Sequence, residues 1–464
     1  MAATSTEPAA TTAPLPLLTP HGRHDTRATE EIAGADGRPL AAVSLAPDLL
    51  ISQALTAQKR TPPLRAEDRS RRLADAAERF LNDNLGGLSF TEHLRLVSDA
   101  SGHGQRTTAA ASRAVAAAIA EAPRRADRGR PVGSVRSWQD APAGHGSGVW
   151  TRRGDTLAAV LSGNSPTIQN GWLQALALGY RVAVRPSRRE PFTAFRVIEA
   201  LRAAGFRAVD VVYLPTTHEG VQTLLRRADL GFLYGGDAVT TTYATSATVK
   251  AFGPGRTKTL LTGGHYSDAA VESVADAVSS LSGAGCVNTT GVFIEGDHAE
   301  FARRLAAALT ARAHEYLRAG DHLGPRVSEK TAESFLHNLD ARLRTAHAQI
   351  PLSAVATAHP DGGVILGPAV FVVDSPHHDA LSAELPFPCA WVAPWRTSDG
   401  AEPLADSLIV NAVTQDAELI ETLLHDPSVR NVYLDIPTVH SDGDLPHEDF
   451  VGNFLMRNKA VVAP

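Results

Sequence analysis

The chain has 464 residues, a net charge of −6 and only two cysteines, Cys286 and Cys389. That length allows two or three domains with ample core, and the interspersed acids and bases exclude a nucleic-acid face or a polybasic membrane patch. Two cysteines exclude a disulfide framework and have no partners at zinc spacing, a composition suited to a reducing cytosol, and no apolar run is long enough to span a bilayer.

The N-terminal "MAATSTEPAATTAPLPLLTP" lacks a basic start and a continuous apolar stretch. It reads as a flexible leader over residues 1–25 rather than a secretory signal. From about Pro39 to Ala122 the pattern is helical: "RAEDRSRRLADAAERFLNDNL" has apolar residues at helical intervals, and "TTAAASRAVAAAIAEA" is a strong helix former. Residues 129–155, rich in Gly and Ser with Val and Trp at intervals, suit two short strands joined by a glycine-rich turn.

From Thr156 to Gly264 strands alternate with helices. The strands are "TLAAVLSG", "YRVAVRPS", "VDVVYLP", "LGFLYGG" and "TKTLLTGG". This alternation predicts a parallel, doubly wound α/β sheet. Ligands on such sheets bind at the C-terminal strand ends, here Gly163-Asn164, Arg185 to Arg188, Gly235-Gly236 and Gly263-Gly264, so a nucleotide site is expected there. A second α/β domain is predicted from about His265 to Pro437. It opens with a helix over "DAAVESVADAVSSLS", a glycine-rich turn carrying Cys286, the strand "GVFIEGD" and a long helix. The tail "FVGNFLMRNKAVVAP" ends in a segment expected to pair as a strand. Locally, Cys286 reads either as a nucleophile on a turn or as a small hydrophobe. Cys389 lies in an apolar strip and reads as structural. His377-His378 gives no metal signature, since adjacent side chains diverge, and no metal is expected.

Six segments, in order, resemble the aldehyde dehydrogenase superfamily over nearly the whole chain. "SGNSPT" is similar to its Pro-Trp-Asn-Phe-Pro segment through Asn164 and Pro166. "RVAVRPSRREP" resembles the strand ending Lys-Pro-Ser-Glu, with Arg185 for Lys and Arg188 for Glu. "LGFLYGGD" resembles the phosphate turn, "LLTGGH" the Glu-Leu-Gly-Gly-Lys segment, "GAGCVNTTGVFI" the cysteine segment, and "AELPFPCAWV" the Glu-x-Phe-Gly-Pro strip. In this alignment Leu261 replaces the glutamate that activates water, and leucine cannot take a proton. The whole is most similar to the fatty acyl-CoA reductases of bacterial luminescence and related thioester reductases.

The resemblance implies a dinucleotide-binding domain over 26–131 and 154–264, a catalytic domain over 265–437, and bridging strands over 132–153 and 438–464 that join a homodimer or homotetramer. It implies Cys286 as nucleophile and Asn164 as oxyanion donor, the alternative for Asn164 being a helix cap. Gly235 and Gly236 are implied at the cofactor pyrophosphate, with Arg185, Ser187 and Gly263 nearby, and Glu384 with Phe387 at the nicotinamide end. Arg188, flanked by other arginines, implies NADPH over NAD, because a guanidinium binds a 2′-phosphate that an acidic residue would repel. The implied reaction is reduction of an acyl thioester, from acyl-CoA or an acyl carrier protein, to an aldehyde in the cytoplasm. Two alternatives stay open: an aldehyde oxidiser using His265 or Glu384 as base, and a non-redox scaffold.

Overall fold

The computed structural model describes residues 15–142, 146–264, 266–342 and 345–462. Two seven-stranded sheets organise it. In chain terms, the first runs Val249–Phe252, Leu230–Tyr234, Thr156–Val160, Arg181–Arg185, Val211–Tyr213, Leu17–Thr19, Gly22–His24. Its first five strands are parallel, and the last two join antiparallel. Thr156–Val160 and Arg181–Arg185 are buried along their whole length. Such uninterrupted burial marks parallel strands covered on both faces. One face packs Ala158, Val160 and Ala183 against Ile51, Leu55 and Leu224 of helices Asp48–Arg60 and His218–Arg227. The other packs Leu157, Val182 and Val184 against Leu173, Ile198 and Leu201, with Phe80 and Ile119 in the layer of longer helices behind.

The second sheet has the order His347–Ala348, Ala369–Val372, Cys389–Pro394, Gly291–Gly296, Lys258–Gly264, Ser407–Val413, Val429–Leu434. All but the first strand are parallel. Helices Asp268–Ser279 and His298–Arg318 cover one face. Cys389 is buried in this sheet, as an apolar strip requires. No helix among the described residues is long and apolar enough to cross a membrane.

The structure corrects four readings of the sequence. Leu17–Thr19, assigned to a flexible leader, is a fully buried strand. Pro39–Ser44, assigned to the helical stretch, pairs antiparallel with Thr29–Ala33. Among the described residues of 129–155 there is one strand rather than two: Gly146–Arg152 pairs with Met456–Val462 over its whole length, so its partner is the tail and not its own neighbour. Lys258–Gly264, counted as the fifth strand of the first sheet, lies in the second; Val249–Phe252 takes the fifth parallel place.

Candidate active site

The cysteine turn is built by an unusual backbone. After helix Asp268–Ser279, three successive residues are left-handed: Leu281 (φ 52°), Ser282 (φ 56°) and Gly283 (φ 70°). For the two non-glycine residues this costs roughly 1–2 kcal/mol each. Asn288 offsets the cost. Its Oδ1 accepts the Gly285 N–H at 2.8 Å, and its Nδ2 donates to Ala277 O at 2.9 Å and Ser280 O at 2.8 Å. Across the turn, Thr257 Oγ1 donates to Cys286 O at 2.8 Å. A Cβ on Gly255 would stand 1.8 Å from that same oxygen, so only glycine lets the two backbones meet.

The Cys286 sulfur faces His447 Nε2 at 3.1 Å. Burial pushes the thiol pKa up to about 12, helped by the Glu384 and Glu448 carboxylates; the N–H groups of Cys286 and Val287 act in the opposite direction. Partial desolvation against the cysteine loop, then the Lys250 ammonium, lowers the pKa of His447, a residue that keeps an exposed edge. Both partners therefore rest uncharged near neutral pH. Lys250, on strand Val249–Phe252, pairs with Glu448 at 3.7 Å.

Asn164 lies on the opposing strand end. Its Nδ2 donates to Ala284 O at 3.0 Å, and its Oδ1 accepts from Ser162 Oγ at 2.6 Å. The side chain is thus turned to the cysteine loop. The cap of the following turn is Ser165, whose Oγ accepts the Thr167 N–H. His103 Nε2 lies 3.0 Å from the Asn164 carbonyl. A carbonyl only accepts, so Nε2 carries the proton; burial holds this ring neutral, with a pKa lowered to about 4.

The same edge of the first sheet holds Arg185, Ser187, Arg188, Gly235 and Gly236. Arg185 is buried; its Nη2 donates to Thr216 O at 3.4 Å, while its Nε has no partner. Ser187 Oγ accepts the Arg189 N–H at 3.0 Å and packs where a Gly163 side chain would stand. Arg188 pairs with Glu30 of strand Thr29–Ala33. Gly235 donates to Phe252 O at 3.0 Å, and space is open beside Gly236. Glu384 reaches the cleft from the second sheet: its Oε2 accepts the N–H groups of Gly255 at 2.7 Å and Arg256 at 3.1 Å.

Three expected placements do not hold. Phe387 is 2% exposed and packs edge-on to Phe335 in the second core, so it offers no surface to a cofactor. Gly263 donates to Glu295 at 2.8 Å beside a separate cavity of about 410 Å³, lined by Trp395 and Asp416 among others. It is six residues along the strand from Thr257, which touches the Cys286 carbonyl, so about 20 Å of extended chain separates the two. Leu261, in the same strand, is buried against Val292 and Ile294, so its identity says nothing about a base. The segment that does meet the cysteine loop is 249–255, ending in Gly-Pro-Gly. His265 lies outside the described residues. His378 caps the short turn Asp379–Ser382, and among the described residues no cluster of three or more metal-ligating side chains occurs.

Sequence reasoning missed His447, Glu448, Lys250 and Asn288. Only the adjacent His-Glu pair in "LPHEDF" signalled titratable groups in the C-terminal segment, and nothing local tied it to a cysteine 161 positions earlier.

An open parallel-sheet edge facing a cysteine loop defines a class of dinucleotide-linked α/β oxidoreductases. Residues 25–409 match the aldehyde dehydrogenase family, and the chain belongs to that family. Similar solved structures include 1-pyrroline-5-carboxylate dehydrogenase from Thermus with bound NAD (TM-score 0.76, 17% identity, covering 96% of this chain and 92% of that one). Others are γ-glutamyl-γ-aminobutyraldehyde dehydrogenase from Burkholderia cenocepacia (0.78, 19%, 96% and 96%) and the NAD+ complex of an aldehyde dehydrogenase from Bacillus cereus (0.78, 14%, 97% and 96%). At these identities the likeness establishes the fold. No curated protein matches the sequence.

The family uses NAD or NADP, and the residues present fit such a group. Arg185 Nε is buried without a partner, and burial together with the Arg188 charge lowers the Arg185 pKa, a crowding that a phosphate would relieve. The open face at Gly236 lets an anion approach the backbone.

Proposed function

We propose that the protein is an NAD(P)-dependent aldehyde dehydrogenase that oxidises an aldehyde to its acid through a covalent adduct on Cys286. The observation that carries this reading is the 3.1 Å contact between the Cys286 sulfur and an imidazole. A base stands at the nucleophile, so the acyl-enzyme need not wait for an outside thiol. This shifts the weight away from the thioester reduction expected from sequence, which rested on Leu261.

In the proposed cycle the sulfur attacks the aldehyde carbon, and the carbonyl oxygen becomes an oxyanion. The Asn164 amide and the Cys286 N–H receive it, a stabilisation of roughly 3–4 kcal/mol per well-aimed donor. Bound nicotinamide supplies the hydride-accepting chemistry. Glu384 uses one oxygen to hold the backbone of residues 255 and 256 and keeps Oε1 for a ribose hydroxyl. Arg185, Ser187, Gly235 and Gly236 would hold the adenosine and pyrophosphate end. NADP is favoured over NAD because a 2′-phosphate can take Glu30's place on Arg188. Comparing kcat/KM for the two cofactors tests this, and Arg188→Glu should reverse the preference.

A second reading, NADPH-dependent reduction of acyl-CoA or an acyl carrier protein thioester, is favoured by the lack of any carboxylate in residues 249–255. One experiment separates the two. Aldehyde with NAD(P)+ and no added thiol should give steady turnover and free acid, abolished in Cys286→Ala. Turnover only with coenzyme A, ending in a thioester, would support the second reading and sink the first. We further propose a homodimer or homotetramer built on the ribbon of Gly146–Arg152 and Met456–Val462, where Val462 is 77% exposed.

A further inference from the structure

We propose that His447 is the catalytic base of this enzyme, taking the proton of Cys286 during attack and that of water during release of the acid. The inference rests on the dehydrogenase reading above and assigns its proton transfers to a residue of the C-terminal segment.

The contact is direct, Nε2 to Sγ at 3.1 Å, and the segment is anchored on both sides of the cleft. Thr438, fully buried, meets Thr289 Oγ1 at 3.1 Å, and Thr289 meets Thr259 Oγ1 at 3.0 Å beneath the cysteine loop. Glu448 pairs with Lys250 of the first sheet, and Asn431 Nδ2 donates to the His447 carbonyl. His447 lies in an irregular, largely exposed segment, yet that segment is tied down from three directions. The charged and titratable groups around the pair are Lys250, Glu448, Glu384, Tyr234 and, beyond Glu448, Arg430.

The thiol proton moves to Nε2 as the S–C bond forms and the carbonyl π pair moves to oxygen. The adduct gives a hydride, two electrons, to NAD(P)+ and becomes a thioester; Nε2 releases its proton to solvent. Water then adds to the thioester with its proton taken by Nε2. The C–S bond breaks, the acid leaves, and Nε2–H returns a proton to sulfur.

The test uses iodoacetamide on the full chain without aldehyde or cofactor, with Cys286→Ala as the background. In the wild type, alkylation of Cys286 should be nearly flat from pH 6 to 8, because neutral imidazole assists the attack. In His447→Gln it should fall about 100-fold at pH 7 and climb tenfold per pH unit, as free thiolate does. Imidazole added to His447→Gly should restore the rate. Equal rates and slopes in wild type and variants would overturn the proposal. If the variants fail to fold, a tenfold-per-unit rise in the wild type alone would overturn it. Aldehyde turnover separates the two claims: a flat alkylation profile without turnover sinks the reaction but keeps the dyad, and undiminished turnover in His447→Gln does the reverse.

Discussion

Asn288→Ala is the sharpest probe of how the nucleophile is held. Asn288 is 2% exposed and makes three hydrogen bonds to the turn. The three losses are unequal. Ala277 O also accepts the Thr289 N–H at 3.1 Å and Ser280 O is closed by the tight turn Ser280–Gly283, whereas the Gly285 N–H is left bare. One buried group without a partner costs about 1–3 kcal/mol. That is enough to release the left-handed Leu281 and Ser282, whose strain those bonds offset. Hydrogen exchange over residues 280–290 should therefore lose about 5- to 150-fold in protection. Because a displacement of about 1 Å costs on the order of 100-fold in rate, kcat should fall by a similar factor. Asn288→Asp should do no better: it keeps an acceptor for Gly285 but turns a negative charge toward two carbonyl oxygens. Protection within threefold of the wild type, in a variant that stays folded, would refute the account of a strained turn held by one side chain.

The remaining predictions concern the cleft and the core. Gly255→Ala puts a Cβ against the Cys286 carbonyl and shifts the N–H that anchors Glu384, so it should lower kcat by about 100-fold and weaken cofactor binding as well, measured by steady-state kinetics and titration. Asn164→Ala should cost about 100- to 1,000-fold in kcat with KM nearly unchanged; a change confined to KM would remove the oxyanion role. His93 sits between Phe80 and Phe90 with neither ring nitrogen partnered, and burial lowers its pKa to about 3, as it lowers that of His103 to about 4. Their folded pKa values lie below the unfolded value near 6.5, so the stability they contribute is complete above that pH. It is lost as pH falls from about 6.5 toward 4, at roughly 1.4 kcal/mol per unit for each histidine. Thermal unfolding at pH 7 and 5 should show the drop, and His93→Leu should reduce it by about half, leaving the share of His103.

What the sequence revealed follows the range of the interaction. The alternation of strands and helices is local, and continuous apolar runs such as "TLAAV" announce parallel strands buried on both faces. Asn164 and Cys286, singled out from short motifs at a strand or turn boundary, do come together: the Asn164 amide reaches the cysteine loop. Sheet membership was not legible: "TKTLLTGG" reads like the strands before it, and only pairing with Gly291–Gly296 and Ser407–Val413, residues far along the chain, sends it to the second sheet. Phe387 misled for a related reason. Its flanking prolines look like a loop, yet the side chain is drawn into the core by Phe335. The Arg188–Glu30 pair spans 158 positions, and a basic run gives no sign of the carboxylate that meets it.

The direction of the two sheets explains why the site stands where it does. Asn164, Arg185 and Gly235 lie at the C-terminal edge of the first sheet, the edge where parallel strands gather ligands. Cys286 precedes Gly291–Gly296, and Gly255 precedes Lys258–Gly264, so both stand at the N-terminal edge of the second. The second sheet's own C-terminal crevice, at Gly263, Glu295 and Asp416, faces away. Cys286 is therefore presented by one sheet to the C-terminal edge of the other, and neither sheet alone brings His447 to the sulfur. His447 arrives from a third element whose anchors divide between them, Lys250 in the first and Thr289 leading into the second. A shift of one sheet against the other must change the Sγ–Nε2 contact.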